Sequence, residues 1–107
     1  MSKRSDGTAR RRTSVLLAVQ RALLGAIGPN LRGVTVGWSE GEVRVRCLYS
    51  GPITGVDRES MNEVEAQLLG DFPEDHIEVA LELYDEPSVL AERTLDTWVY
   101  CRREALE

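Results

Sequence analysis

The spacing of apolar residues divides the chain into two helical and two strand-like stretches. Leu16, Val19, Leu23 and Ile27 recur at helical intervals, and Leu17 and Leu24 widen that stripe. Thr13 or Ser14 suits the cap of this helix, and Gly28-Pro29 its stop. The period then changes to two. Val34, Val36 and Trp38 alternate with Thr35, Gly37 and Ser39. After the short turn Ser39-Glu40-Gly41, Val43, Val45, Cys47 and Tyr49 alternate with Glu42, Arg44 and Arg46. This predicts a β-hairpin with one buried face.

Ser50-Gly51-Pro52 breaks the strand, and Thr54 or Asp57 opens a second helix. Its apolar stripe is Met61, Val64, Leu68 and Phe72, its opposite face carries Glu59, Asn62, Glu63 and Gln67, and Gly70 and Pro73 bracket its end. Asp57 and Glu59 are favourable near its positive N-terminal end. A second period-two stretch sets Ile77, Val79, Leu81 and Leu83 against Glu78, Ala80, Glu82 and Tyr84. Residues 85–95 read as a loop, and residues 96–103 as a last strand. The two faces of that strand, Thr97/Val99/Cys101 and Asp96/Trp98/Tyr100/Arg102, both carry large apolar groups, so the pattern leaves its buried side open.

The order helix, hairpin, helix, hairpin predicts an α+β fold. Two amphipathic helices would cover one face of a four-stranded, mostly antiparallel sheet. The 107 residues suit one domain, expected over 13–107, and 42% hydrophobic against 29% charged residues places it among globular proteins. Residues 1–12, polar and basic without apolar periodicity, are expected to form a disordered tail. The longest apolar region, 15–27, is interrupted by Gln20 and Arg21, so no membrane span is expected. With no secretion signal visible and only two widely separated cysteines, Cys47 and Cys101, a cytoplasmic protein with reduced thiols is expected. A disulfide between neighbouring strands is the alternative.

The net charge of −5 conceals an asymmetry. Residues 1–12 carry Lys3, Arg4, Arg10, Arg11 and Arg12 against Asp6, a net +4, and residues 13–107 carry −9. Most of that lies in 57–86, where eleven acidic residues face only Arg58, a net −10. Such a surface repels phosphates and anionic membranes and attracts cationic partners. Nucleic acid and membrane are therefore not expected as partners.

Catalytic chemistry finds little support. His76 is the single histidine, no nucleophile motif or glycine-rich phosphate loop occurs, and two Cys with one His lack metal-binding spacing. No enzyme activity, cofactor or metal is expected. Two binding surfaces remain. Glu59, Glu63, Asp71, Glu74 and Asp75, on and after the second helix, can dock a basic partner; the plainer reading is a solvated acidic face. On the sheet side that the helices leave open, Arg44 and Arg46 stand with Glu78 and Glu82, and Trp98, Tyr100 and Arg102 are candidates to join them. There the plainer reading is cross-strand ion pairing, whereas Trp, Tyr and Arg together match binding hot spots. A non-catalytic adaptor or regulatory subunit, using that face or pairing as a homodimer, is the alternative to the acidic docking surface.

Several segments together resemble a known family: ALLGAIGPNLRGVTV over 22–36, WSEGEVRVRCLYSGPIT over 38–54, the acidic second helix, and WVYCRRE over 98–104. They resemble the small α+β immunity proteins of bacterial contact-dependent growth inhibition and related polymorphic toxin systems, over about residues 14–104. The resemblance implies one-to-one binding of a cognate toxin domain by a monomer or weak homodimer, blocking its active site or substrate groove. Where such a toxin is a nuclease, the groove is basic, and carboxylates can take the place of phosphates.

Overall fold

The computed structural model describes residues 3–85 and 97–103, with side chains from residue 9 onward. The elements are α1 (Lys3–Ala22), β1 (Leu31–Ser39), β2 (Glu42–Tyr49), α2 (Gly55–Asp71), β3 (His76–Leu83) and β4 (Thr97–Cys101). The four strands form one sheet in the order β3-β2-β1-β4.

α1 starts at Lys3, ten residues before the expected cap at Thr13 or Ser14. Thr13 lies inside the helix, where its Oγ1 donates to the Ala9 carbonyl at 3.1 Å. A threonine that bonds back to the preceding turn has no need to cap. The buried stripe is Val15, Ala18, Val19, Ala22 and Leu23, with i, i+3, i+4, i+7, i+8 spacing. A stripe anchored on the large residues gives too little weight to Ala18 and Ala22, which are both buried. Leu17, Leu24 and Ile27 consequently stay exposed, Leu24 at 81%. The helix also ends earlier than Gly28. The Ala26 amide donates to the Leu23 carbonyl, and Gly25 takes the left-handed turn at φ 81°.

β1 and β2 pair antiparallel, from Ser39↔Glu42 at the turn to Leu31↔Tyr49. Gly41 supplies the positive φ (81°) that the tight connection requires. Directly opposed residues share a face, so Val34, Val36 and Trp38 join Cys47, Val45 and Val43 on one side. Both helices pack there. Their buried residues form one core with Val34, Val36, Val43, Val45, Cys47 and Tyr49.

α2 begins with a capping box. The Asp57 amide donates to Thr54 Oγ1 at 3.1 Å, and the Thr54 amide donates to Asp57 Oδ2 at 3.0 Å. Its buried residues, Asp57, Met61, Val64 and Leu68, fall on one face. The 17 residues of α2 rise about 25 Å and the 8 residues of β2 span about 26 Å. The helix therefore returns the chain to the β1–β2 turn, where the His76 amide donates to the Gly41 carbonyl at 2.8 Å. From that point β3 has to run alongside β2 in the same direction, and it pairs in parallel from Glu42↔His76 to Tyr49↔Leu83.

This corrects the expected topology. The sheet is mixed, not mostly antiparallel, and β3 and β4 lie at opposite edges instead of forming a second hairpin. β4 pairs antiparallel with β1 through Gly33↔Cys101, Val34↔Tyr100, Thr35↔Trp98 and Val36↔Thr97. Val99 has no partner in that register, so a bulge separates the two pairs that flank it. The bulge explains why alternation gave no answer for this strand. Val99 and Tyr100 both pack against the core, whereas Trp98 turns to the other face with Thr35.

The two cysteines are free thiols in different settings. Cys47 is buried, with Sγ 3.8 Å from Met61 Sδ, and burial pushes its pKa up to about 12. Cys101 is exposed on β4. No described helix is long and apolar enough to cross a membrane.

Candidate functional site

The acidic segment separates into carboxylates that serve the fold and carboxylates that face outward. Asp57 belongs to the fold. It is buried in the capping box, and its Oδ1 lies so near Gly28 that an added Cβ there would meet it at 2.9 Å. Beside it, the Tyr49 hydroxyl is buried without a hydrogen-bond partner among the described residues. Burial, with Cys47 and Asp57 nearby, raises the pKa of that phenol.

On the outer side of α2, Glu59, Glu63, Gln67 and Asp71 follow one another at i+4 and are all exposed. They form a polar stripe about 18 Å long. Glu74 continues it in the turn before β3 and is also exposed. Glu59, Glu63, Asp71 and Glu74 make no ion pair with a described residue. The stripe works against the helix that carries it. Glu59 and Glu63 repel at i+4. Asp71 sits at the negative end of the helix dipole, where the last turn carries no basic residue.

Asp75, the fifth expected residue, has a different role. Arg11 Nη1 donates to Asp75 Oδ2 at 2.8 Å, with side chains 27% and 12% exposed respectively. Arg11 Nη2 donates to the Ser39 carbonyl at 2.8 Å and to the Glu42 carbonyl at 3.3 Å. The guanidinium carbon lies 5.7 Å from the Phe72 ring centroid. Arg12 sits at the same distance over Trp38. The sequence reading missed Arg11, and a partner 64 positions away leaves no local signal.

The second sheet face is less open than expected. Thr35 and Leu48, which point to it, are fully buried. The Trp98 ring lies across Gly33 so closely that a Cβ there would come within 2.5 Å of Cζ3, and Trp98 itself remains 40% exposed. Arg46 pairs with Glu82 across β2 and β3 at 2.7 Å, and Arg44 reaches Glu42 at 3.5 Å on its own strand. Arg44 stands opposite Glu78 in the parallel register. This face brings Arg44, Arg46 and Trp98 to one side of the sheet, with ion pairing already present around the two arginines.

His76 is exposed at the start of β3, and its amide serves the sheet. The described residues hold no group of three or more His, Cys, Asp or Glu side chains placed to share a metal ion. A shallow cleft of about 330 Å³ lies between the end of α1 and β4, lined by Leu23, Leu24, Ile27, Val99 and Tyr100.

A search of curated proteins finds no match. A family model described as MafI2 immunity protein matches residues 12–104, which takes in both helices' buried stripes, all four strands and the acidic stripe. With that match running over most of its length, the chain belongs to the MafI2 immunity protein family.

Proposed function

We propose that this immunity-family protein neutralises a cognate toxin domain by binding it one-to-one through the acidic surface of α2. Family membership supports an immunity-type function with a toxin as protein partner. The observation that carries the choice of surface is the stripe Glu59, Glu63, Gln67 and Asp71, extended by Glu74. Its charges face solvent and have no ion-pair partner among the described residues, Glu59 and Glu63 repel each other, and Asp71 opposes the helix dipole. Placing charge where it lowers local stability has a rationale if a cationic partner compensates it. Carboxylates in a row suit a basic groove and accelerate encounter with it. In this reading the protein acts in the cytoplasm as a monomer or weak homodimer, and neutralises by occlusion, without catalysis.

The test is Glu63→Lys combined with Asp71→Lys, titrated against the cognate toxin domain. The expected result is at least a tenfold loss of affinity, about 1.4 kcal/mol or more, and a wild-type affinity that falls steeply with added salt. Unchanged affinity in the double variant would overturn the acidic-contact reading. Chemical-shift changes confined to Arg44, Arg46 and Trp98, with α2 silent, would favour the adaptor reading instead.

A further inference from the structure

We infer that the pocket now filled by Arg11 is an arginine-recognition site, and that an arginine of the toxin partner takes it over on binding. The inference rests on the proposed acidic docking surface and adds a specific subsite at its β3 end.

The pocket is built for a guanidinium. Asp75 supplies a carboxylate oxygen to one terminal nitrogen, the Ser39 and Glu42 carbonyls receive the other, and the Phe72 ring lies alongside at 5.7 Å. A planar fork can satisfy these acceptors together, and a lysine ammonium cannot match that geometry. The acceptors are fixed by the fold. Ser39 and Glu42 form the last pair of the β1–β2 ladder, and Phe72 and Asp75 lie in the turn where α2 gives way to β3. In that turn the Asp75 amide donates to the Phe72 carbonyl at 3.1 Å.

The present occupant is less firmly placed than its pocket. Among the described side chains of α1 the first fully buried one is Val15, and Ala9, Arg10, Arg12, Thr13 and Ser14 are exposed. Of the described side chains before Val15, only Arg11 and Arg12 make a hydrogen bond, ion pair or ring contact outside the helix. Arg11 can therefore leave without opening the core. The pocket also lies next to Asp71 and Glu74, where a basic partner's side chains would be concentrated. An internal arginine makes the free site self-satisfied and taxes the partner by the fraction of time the site is closed.

Two measurements test this. In the first, Arg11→Ala is titrated with N-acetyl-arginine amide while amide shifts of Glu42, Phe72 and Asp75 are followed. Saturable shifts are expected in Arg11→Ala and not in the wild type, and none with N-acetyl-lysine amide. No saturable shift with the arginine probe, or equal shifts with both probes, would overturn the site. In the second, affinity for the toxin domain is compared across variants. Arg11→Ala should bind more tightly, by about tenfold for a site closed about nine-tenths of the time. Adding Asp75→Asn should abolish that gain. Equal or weaker binding by Arg11→Ala, or a gain that survives Asp75→Asn, would overturn the exchange. Arg11→Lys keeps the charge and the aliphatic stem, so it covers the case in which Arg11→Ala fails to fold, and it should show a smaller gain in the same direction. The charge reversal at Glu63 alone, about two helical turns before Asp71, reports on the docking surface away from this pocket, so the two ideas fail separately.

Discussion

One aspartate lies in the first turn of α2 and another in the turn that leads from α2 into β3, and the two carboxylates do different work. At the N-terminal end Asp57 exchanges hydrogen bonds with the backbone and side chain of Thr54, three residues away. At the C-terminal end Asp75 depends on Arg11, 64 positions away, for its charge partner. The first arrangement is local and forms with the helix. The second joins segments remote in sequence and can be exchanged for a partner from outside. Residue type is the same in both places, so it is the origin of the partner that separates a structural carboxylate from an adaptable one.

The largest expected effect is at the N-terminal end. Asp57→Ala removes the carboxylate that accepts the Thr54 amide, while the Asp57 amide keeps its bond to Thr54 Oγ1, and it should cost about 1–2 kcal/mol, read as a lower urea midpoint. An unchanged midpoint would mean that Asp57 does not hold the start of α2, and the comparison would fail there. Arg11→Ala should cost less, about 1 kcal/mol or below, because its pair with Asp75 is partly solvated. A loss exceeding that of Asp57→Ala would reverse the order of the two ends and make Arg11 a structural latch. Asp71→Lys should stabilise by about 0.3–1 kcal/mol at low salt, by matching the helix dipole. Glu63→Gln should stabilise by about 0.2–0.5 kcal/mol, by relieving its repulsion of Glu59. Thermal melts at low and high salt would check the last two, since both gains should shrink as salt screens them.

Local features of the fold were legible from the sequence because they are written in neighbouring residues. Thr54 and Asp57 have capping-box spacing, Met61, Val64 and Leu68 have helical spacing, and Val43, Val45 and Cys47 alternate. What alternation does not encode is which edge a strand takes. Ile77, Val79 and Leu81 face the core equally well beside β2 or beside β4, so the hairpin reading and the parallel pairing predict the same pattern. A signal was present in the length of the connection. Residues 84–96 are too many for a tight hairpin turn and suit a crossing to the far edge. The exposed stripe could be read from the i+4 spacing of Glu59, Glu63, Gln67 and Asp71. The Arg11 pocket could not, since two of its acceptors are backbone carbonyls and any residue could provide them.

The position of β4 has a consequence in time. β1 lies between β2 and β4, so one of its edges has no strand partner until residues 97–101 are available. Sixty-two residues separate Ser39 from Cys101, which a ribosome adds in roughly 3–12 s. During that interval a β-rich segment with Val34 and Val36 presents an unpaired edge to whatever is near. A chain stopped before residue 97 should therefore self-associate more strongly in light scattering than the 107-residue chain, because pairing with β4 is what covers that edge.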